Sequence, residues 1–112
     1  MSFLKKLFGV GKDPTSYAFR LQRAKELHGQ AVRYVTEMRD GNEDVVGRGG
    51  HLTLKDGEFL LDTSGDVLFR CPVADLEAAY LMSGDGVILQ GPNLSEGGKR
   101  RTLTVHFVYY RK

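Results

Sequence analysis

The feature that most constrains this chain is a two-residue rhythm, broken at short intervals by glycine-containing turns. From Ala31 to Tyr110 apolar and polar residues alternate in short runs. Asp40-Gly41-Asn42, Asp56-Gly57, Ser64-Gly65-Asp66 and Asp85-Gly86 separate them. A period of two puts apolar side chains on one face of a pleated strand, and Asp-Gly pairs supply the positive φ angles of tight hairpins. Strands are expected at residues 31–38, 51–54, 58–62, 67–71, 87–90 and 102–110, joined as an antiparallel meander. Val45-Val46 either starts a further strand or belongs to a loop, and Gly47, Gly49 and Gly50 then give the backbone freedom. After Pro72 the pattern is ambiguous, with a turn at 74–79 or a strand at 76–82. Gly91 to Gly98 reads as a polar, flexible loop.

Ahead of the strands the period changes. Between Thr15 and His28, Tyr17, Leu21, Ala24 and Leu27 or His28 form one stripe at helical spacing. Asp13, Thr15 or Ser16 is placed to cap this helix, and Gly29 to stop it. Residues 1–14 read as a separate arm and hinge, and residues 15–112 as a single helix-plus-β domain. Within the arm, Phe3, Leu4, Leu7 and Phe8 recur at spacings of three and four, with Lys5 and Lys6 on the other side. These six residues are the candidates for contact with an anionic membrane surface.

Composition narrows the class. A chain of 112 residues with 41% hydrophobic and 27% charged residues has the size and balance of one globular domain. The single cysteine, Cys71, excludes an intrachain disulfide and a thiolate metal cluster. No run approaches the length of a transmembrane helix, and the first residues lack the charge order of a secretory signal. A cytoplasmic location is expected, with peripheral contact at the inner membrane surface. The net charge of +2 conceals a polarity: residues 1–33 carry +5, residues 34–98 carry −8, and residues 99–112 carry +5. Arg33, Lys99, Arg100 and Arg101 are the candidate anion contacts.

The run Gly50-His-Leu-Thr-Leu-Lys-Asp-Gly-Glu-Phe-Leu-Leu, followed by Val67-Leu-Phe-Arg-Cys-Pro-Val-Ala-Asp-Leu-Glu, resembles the pleckstrin-homology-like superfamily, closest to its GRAM-type and small bacterial members. The resemblance covers about residues 31–110. It implies an antiparallel barrel or two packed sheets. It also implies a C-terminal helix at one barrel end, a place that the helix at 15–28 would fill instead. The function it implies is that of a non-catalytic interaction domain for a protein partner or an anionic membrane surface. Inositol phosphate binding does not carry over, because only Arg33 and Arg39 match the basic positions loosely, and acids 37, 40, 43 and 44 crowd them.

The search for chemistry yields no catalytic, cofactor or metal residues. His28, His51 and His106 fall on three different elements without ligand spacing. Cys71, between Arg70 and Pro72, reads as a small buried hydrophobe. The glycines at 47–50 and 91–98 lack the spacing and the following helix of a phosphate loop. The expected partners are a protein or a second copy of the chain, with weak contact to an anionic membrane. The alternative is a homo-oligomeric structural protein without a small ligand. A single-stranded nucleic-acid binder, using Lys99–Arg101 beside the aromatics of the last strand, ranks below both.

Overall fold

In the computed structural model, which describes residues 16–108, the expected helix runs Tyr17–Leu27 (α1). Ser16 starts it with extended backbone, and its hydroxyl accepts the Phe19 N–H at 3.1 Å. Ala24 and Leu27 are buried, Leu21 packs on the core, and Tyr17 stays exposed. His28 ends the helix, and its Nδ1 accepts the Leu54 N–H at 2.9 Å. The chain then turns at Gly29, where φ is +87°, a value that favours glycine.

Seven strands follow: β1 Ala31–Arg39, β2 Asn42–Lys55, β3 Glu58–Thr63, β4 Asp66–Pro72, β5 Glu77–Tyr80, β6 Gly86–Asn93 and β7 Lys99–Phe107. A 3₁₀ turn at Val73–Asp75 leads from β4 into β5, and another at Leu94–Glu96 joins β6 to β7. The ambiguous stretch after Pro72 therefore resolves into a turn and then a short strand. The glycine run at 47–50 is not a loop but the middle of β2, paired with β1 from Val32↔Gly50 to Arg39↔Asn42.

All seven strands belong to one antiparallel sheet in the order β4-β3-β2-β1-β7-β6-β5. This overturns the expected closed barrel or pair of packed sheets, and with it the resemblance to pleckstrin-homology-like and GRAM-type domains. The reason lies in β1, which is laddered on one side to β2 and on the other to β7 and so carries one sheet across the middle of the molecule. Among the described residues no ladder joins β4 to β5, so the sheet stays open. The binding function that the resemblance implied loses its structural basis.

One face of the sheet carries the core. Val32 and Val35 of β1, Leu52 of β2, Phe59 and Leu61 of β3, Phe69 and Cys71 of β4, Val87 and Leu89 of β6, and Leu103 and Val105 of β7 are all buried there with Ala24 and Leu27. Leu54, Leu68 and Phe107 are partly buried, while Ile88 alternates onto the other face. The sheet bends around this core. In a flat sheet with strands about 4.8 Å apart, β4 and β6 would stand roughly 24 Å from each other. Yet the side chain of Asn93 in β6 reaches the backbone of β4: its Oδ1 accepts the Arg70 N–H at 3.0 Å, and its Nδ2 donates to Leu68 O at 3.2 Å. Nearby, a Cβ added to Gly91 would fall 2.7 Å from Cys71 Sγ, so only glycine permits that approach. The amide of Asn93 thus stands in for one residue of a neighbouring strand on the edge of β4.

Candidate functional site

The opposite edge of the sheet is β5, and here too side chains occupy the outward backbone groups. Arg20 and Arg23, three residues apart on α1, project from one helix face toward β5. Arg20 Nη1 donates to Leu76 O at 2.8 Å and Arg23 Nη1 to Ala78 O at 2.9 Å. A guanidinium is well suited to this task, because its planar donors reach a carbonyl while the stem packs on apolar surface. Arg23 is held further by the rings of Phe19 and Tyr80, whose centroids lie 5.0 Å and 4.7 Å from its Cζ. Glu26 completes the assembly, 3.5 Å from Arg23 Nε and accepting the Tyr80 hydroxyl at 3.0 Å. Burial first, and then the hydrogen bond to Glu26, push the Tyr80 phenol above its ordinary pKa.

Beside this edge lies a groove of about 510 Å³, lined by Phe19, Arg20 and Arg23 of α1, residues 76–79, and Ile88 and Gln90 of β6. Its walls are mainly apolar, from Phe19, Leu76, Ala78, Ala79 and Ile88. Both arginines have donors committed to the Leu76 and Ala78 carbonyls, which fixes the helix wall against β5 and the residue before it. A groove of this volume and lining suits a few apolar side chains.

A second, smaller and polar cleft of about 280 Å³ opens where β1 diverges from β7. Arg101 Nη2 and Nε bind the Glu37 carboxylate at 2.8 Å and 3.0 Å, a bidentate pair whose side chains are 10% and 16% exposed. Arg39 bonds the same carboxylate at 3.0 Å, and Glu96 approaches Arg101 at 3.5 Å. The hydrogen bonds from Arg101 hold the Glu37 carboxyl below the usual carboxylate range; burial opposes them, and Arg39 adds to them. The same pair raises the pKa of Arg101.

The candidate anion contacts do not share one place. Lys99, Arg100 and Arg101 open β7, whereas Arg33 lies near Val32, which pairs with Phe107 at the other end of β7. Arg33 stands over the Tyr34 ring at 5.4 Å, Arg100 lies 3.6 Å from Glu77, and Arg101 is held by Glu37. The candidate membrane contacts Phe3, Leu4, Lys5, Lys6, Leu7 and Phe8 lie outside the described residues. Among the described residues no helix is long and apolar enough to cross a membrane, and no three His, Cys, Asp or Glu side chains gather as metal ligands.

The remaining chemistry-bearing groups are built into the packing. Cys71 is buried, donates to Pro72 O at 3.3 Å, and has its thiol pushed up to about 12, first by burial and then by the charge of Asp75. It is held as the protonated thiol at neutral pH. His106 stacks on Tyr34 with ring centroids 4.3 Å apart, and its Nε2 is buried without a hydrogen-bond partner among the described residues.

The groove was missed in the sequence because its arginines read as the solvated face of α1. Their partners, Leu76 and Ala78, lie 56 and 55 residues away. Comparison with family models, curated proteins and solved structures returns no match.

Proposed function

We propose that the groove between α1 and β5 receives an apolar stretch of a partner polypeptide. The observation that carries the reading is the groove itself, an apolar trough whose two flanking arginines are already engaged by the Leu76 and Ala78 carbonyls beside them. An anionic small ligand would have to compete with those carbonyls. Apolar side chains need only displace water from Phe19, Ala79 and Ile88, and each fully buried aliphatic group adds about 1.5–3 kcal/mol.

The test places a photo-crosslinking amino acid at Ala79 in cells that make the protein naturally, with the same group at exposed Lys55 as control. The expected result is one dominant protein adduct at position 79 that is absent at position 55. The purified partner should then bind the wild-type chain, with Kd weakened at least tenfold by Ala79→Trp or Ile88→Glu in folded protein. Equal adducts at both positions, or unchanged Kd in both variants, sinks the reading.

A further inference from the structure

Side chains occupy the outward backbone groups on both edge strands of the sheet, but one stretch inside the sheet order has an edge without such cover. β2 is 14 residues long, yet it pairs with β3 only from His51 to Lys55. Among the described residues, 42–47 pair with β1 alone, and 42–44 with residues 37–39 form a two-stranded ribbon, Val35 and Thr36 being paired with β7 on their other side. The ribbon's two-residue turn, Asp40-Gly41, has φ values of 51° and 82°, which fit a type I′ turn. Such a turn encloses a hydrogen-bonded pair, here Arg39 and Asn42. The alternation of an antiparallel ladder then makes Glu37–Asp44 hydrogen-bonded, and Met38–Glu43 and Thr36–Val45 non-hydrogen-bonded. The N–H and C=O of Glu43 and Val45 therefore point away from β1, and no hydrogen bond among the described residues reaches them.

We propose that this edge of β2 accepts an extended, basic segment of a partner protein as an added strand. The surface is distinct from the α1–β5 groove and does not depend on it. Strand addition draws its hydrogen bonds from the outward groups of Glu43 and Val45, and its selectivity from alternate side chains. Residues 40–47 carry Asp40, Glu43 and Asp44 and no basic residue. Glu43 and Asp44 alternate onto opposite faces, so a strand with Lys or Arg on both faces meets a carboxylate on each. On the face of Glu43, Met38 is 65% exposed and Val45 45% exposed, and they offer apolar contact between the charges. A second copy of this edge is disfavoured, since antiparallel pairing would align these acids with one another, and like charges opposite each other are destabilising. The same carboxylates that keep two copies apart thus select a basic strand.

The test uses the full chain and a seven-residue probe, acetyl-Lys-Val-Lys-Val-Lys-Val-Lys-amide, with its Glu-for-Lys counterpart as control. NMR hydrogen exchange reads individual amides. At millimolar concentration the basic peptide should slow exchange of the Glu43 and Val45 amides at least tenfold, while the Asp44 amide, already paired with β1, changes little. The Glu peptide should have no effect. The double variant E43K/D44K should reverse that preference. Val45→Pro should abolish protection by the basic peptide with the circular dichroism spectrum retained, because the lost N–H is not part of the β1 ladder. Unchanged exchange at Glu43 and Val45, protection confined to other residues, or equal protection by both peptides in the wild-type chain overturns the proposal.

Discussion

The edges of β4 and β5 differ from the ribbon edge of β2 in one respect: what lies against the outward backbone groups. On β4 the amide of a fully buried Asn93 takes both a donor and an acceptor, and at β5 two arginines take the carbonyls of Leu76, just before the strand, and of Ala78 within it. On the β2 edge, Glu43 and Val45 turn theirs outward among exposed carboxylates. An unpaired strand edge is a template for another chain, so covering two edges and charging the third divides the molecule into protected and receptive parts. The protected edges adjoin the buried core, whereas the receptive one projects beyond it. Changes at the protected edges should therefore cost stability, and changes to the exposed ribbon side chains that make no such bonds should not.

The largest effect is expected at Asn93. Asn93→Ala strands the Arg70 N–H and the Leu68 carbonyl in a part-buried place and opens a void beside β4. Unsatisfied buried groups cost about 1–3 kcal/mol each, so the loss should reach about 2–4 kcal/mol. For a domain of this size that is a fall in Tm of roughly 10–25 °C, read by calorimetry. A fall of only a degree or two would show that water replaces the amide at no cost, and that the β4 edge is not protected in the sense argued.

Next comes the ion pair at the base of the ribbon. Glu37→Gln keeps the shape but loses the charge-assisted bonds from Arg101 and Arg39, at a cost of about 1–3 kcal/mol. The pH dependence has a definite sign. The folded carboxyl sits below its unfolded value, so the unfolded state binds the proton more readily. The stabilisation is fully present above the unfolded pKa of about 4.3 and is lost as pH falls through the lower folded value. Urea midpoints of wild type and variant should therefore differ at pH 7 and converge below pH 4. A constant gap across that range would assign the effect to packing.

The third effect concerns β5. Replacing Arg20 and Arg23 together by Ala uncaps the Leu76 and Ala78 carbonyls and removes the guanidinium from between Phe19 and Tyr80. The stability loss should be about 1–3 kcal/mol, and the uncovered edge should add concentration-dependent association by light scattering. A variant as stable and as monodisperse as the wild type would remove the arginines from edge protection.

How much of this was legible in the sequence differs between the same regions. Local signals carried the hairpins at Asp56-Gly57 and Ser64-Gly65, the Asp40-Gly41 turn and the helix, because each depends on residues a few positions apart. The long-range devices left no such trace. Asn93 sits in a stretch whose composition reads as a flexible polar loop, and its β4 partners are 23 and 25 residues distant. Glu37 and Arg101 are 64 residues apart, so Arg101 read as a free cation for an anionic ligand. Gly47, Gly49 and Gly50 signalled freedom, yet at Gly50 an added Cβ would lie 1.8 Å from Asp62 O. That glycine permits the close passage of β2 over the end of β3 rather than a loop. That the strands form one sheet likewise follows from β1 pairing on both sides, and its openness from β4 and β5 not pairing with each other, neither of which a local pattern specifies.

The smallest effect is expected on the ribbon, and it tests the comparison from its other side. Met38 is 65% exposed and pairs across the ladder with Glu43, so Met38→Lys removes little buried area and places a cation opposite an acid. Exposed substitutions away from caps, cores and networks usually stay within about 0.5 kcal/mol. Urea unfolding should therefore give a midpoint nearly equal to that of the wild type, with an unchanged slope. Strand pairing by the ribbon would persist, since the Arg39–Asn42 and Glu37–Asp44 backbone bonds do not involve the Met38 side chain. A loss above about 1.5 kcal/mol would mean that Met38 packs against another part of the chain in solution. The ribbon would then belong with the protected edges, and the division between covered and receptive strand edges would fail at the place where it matters most.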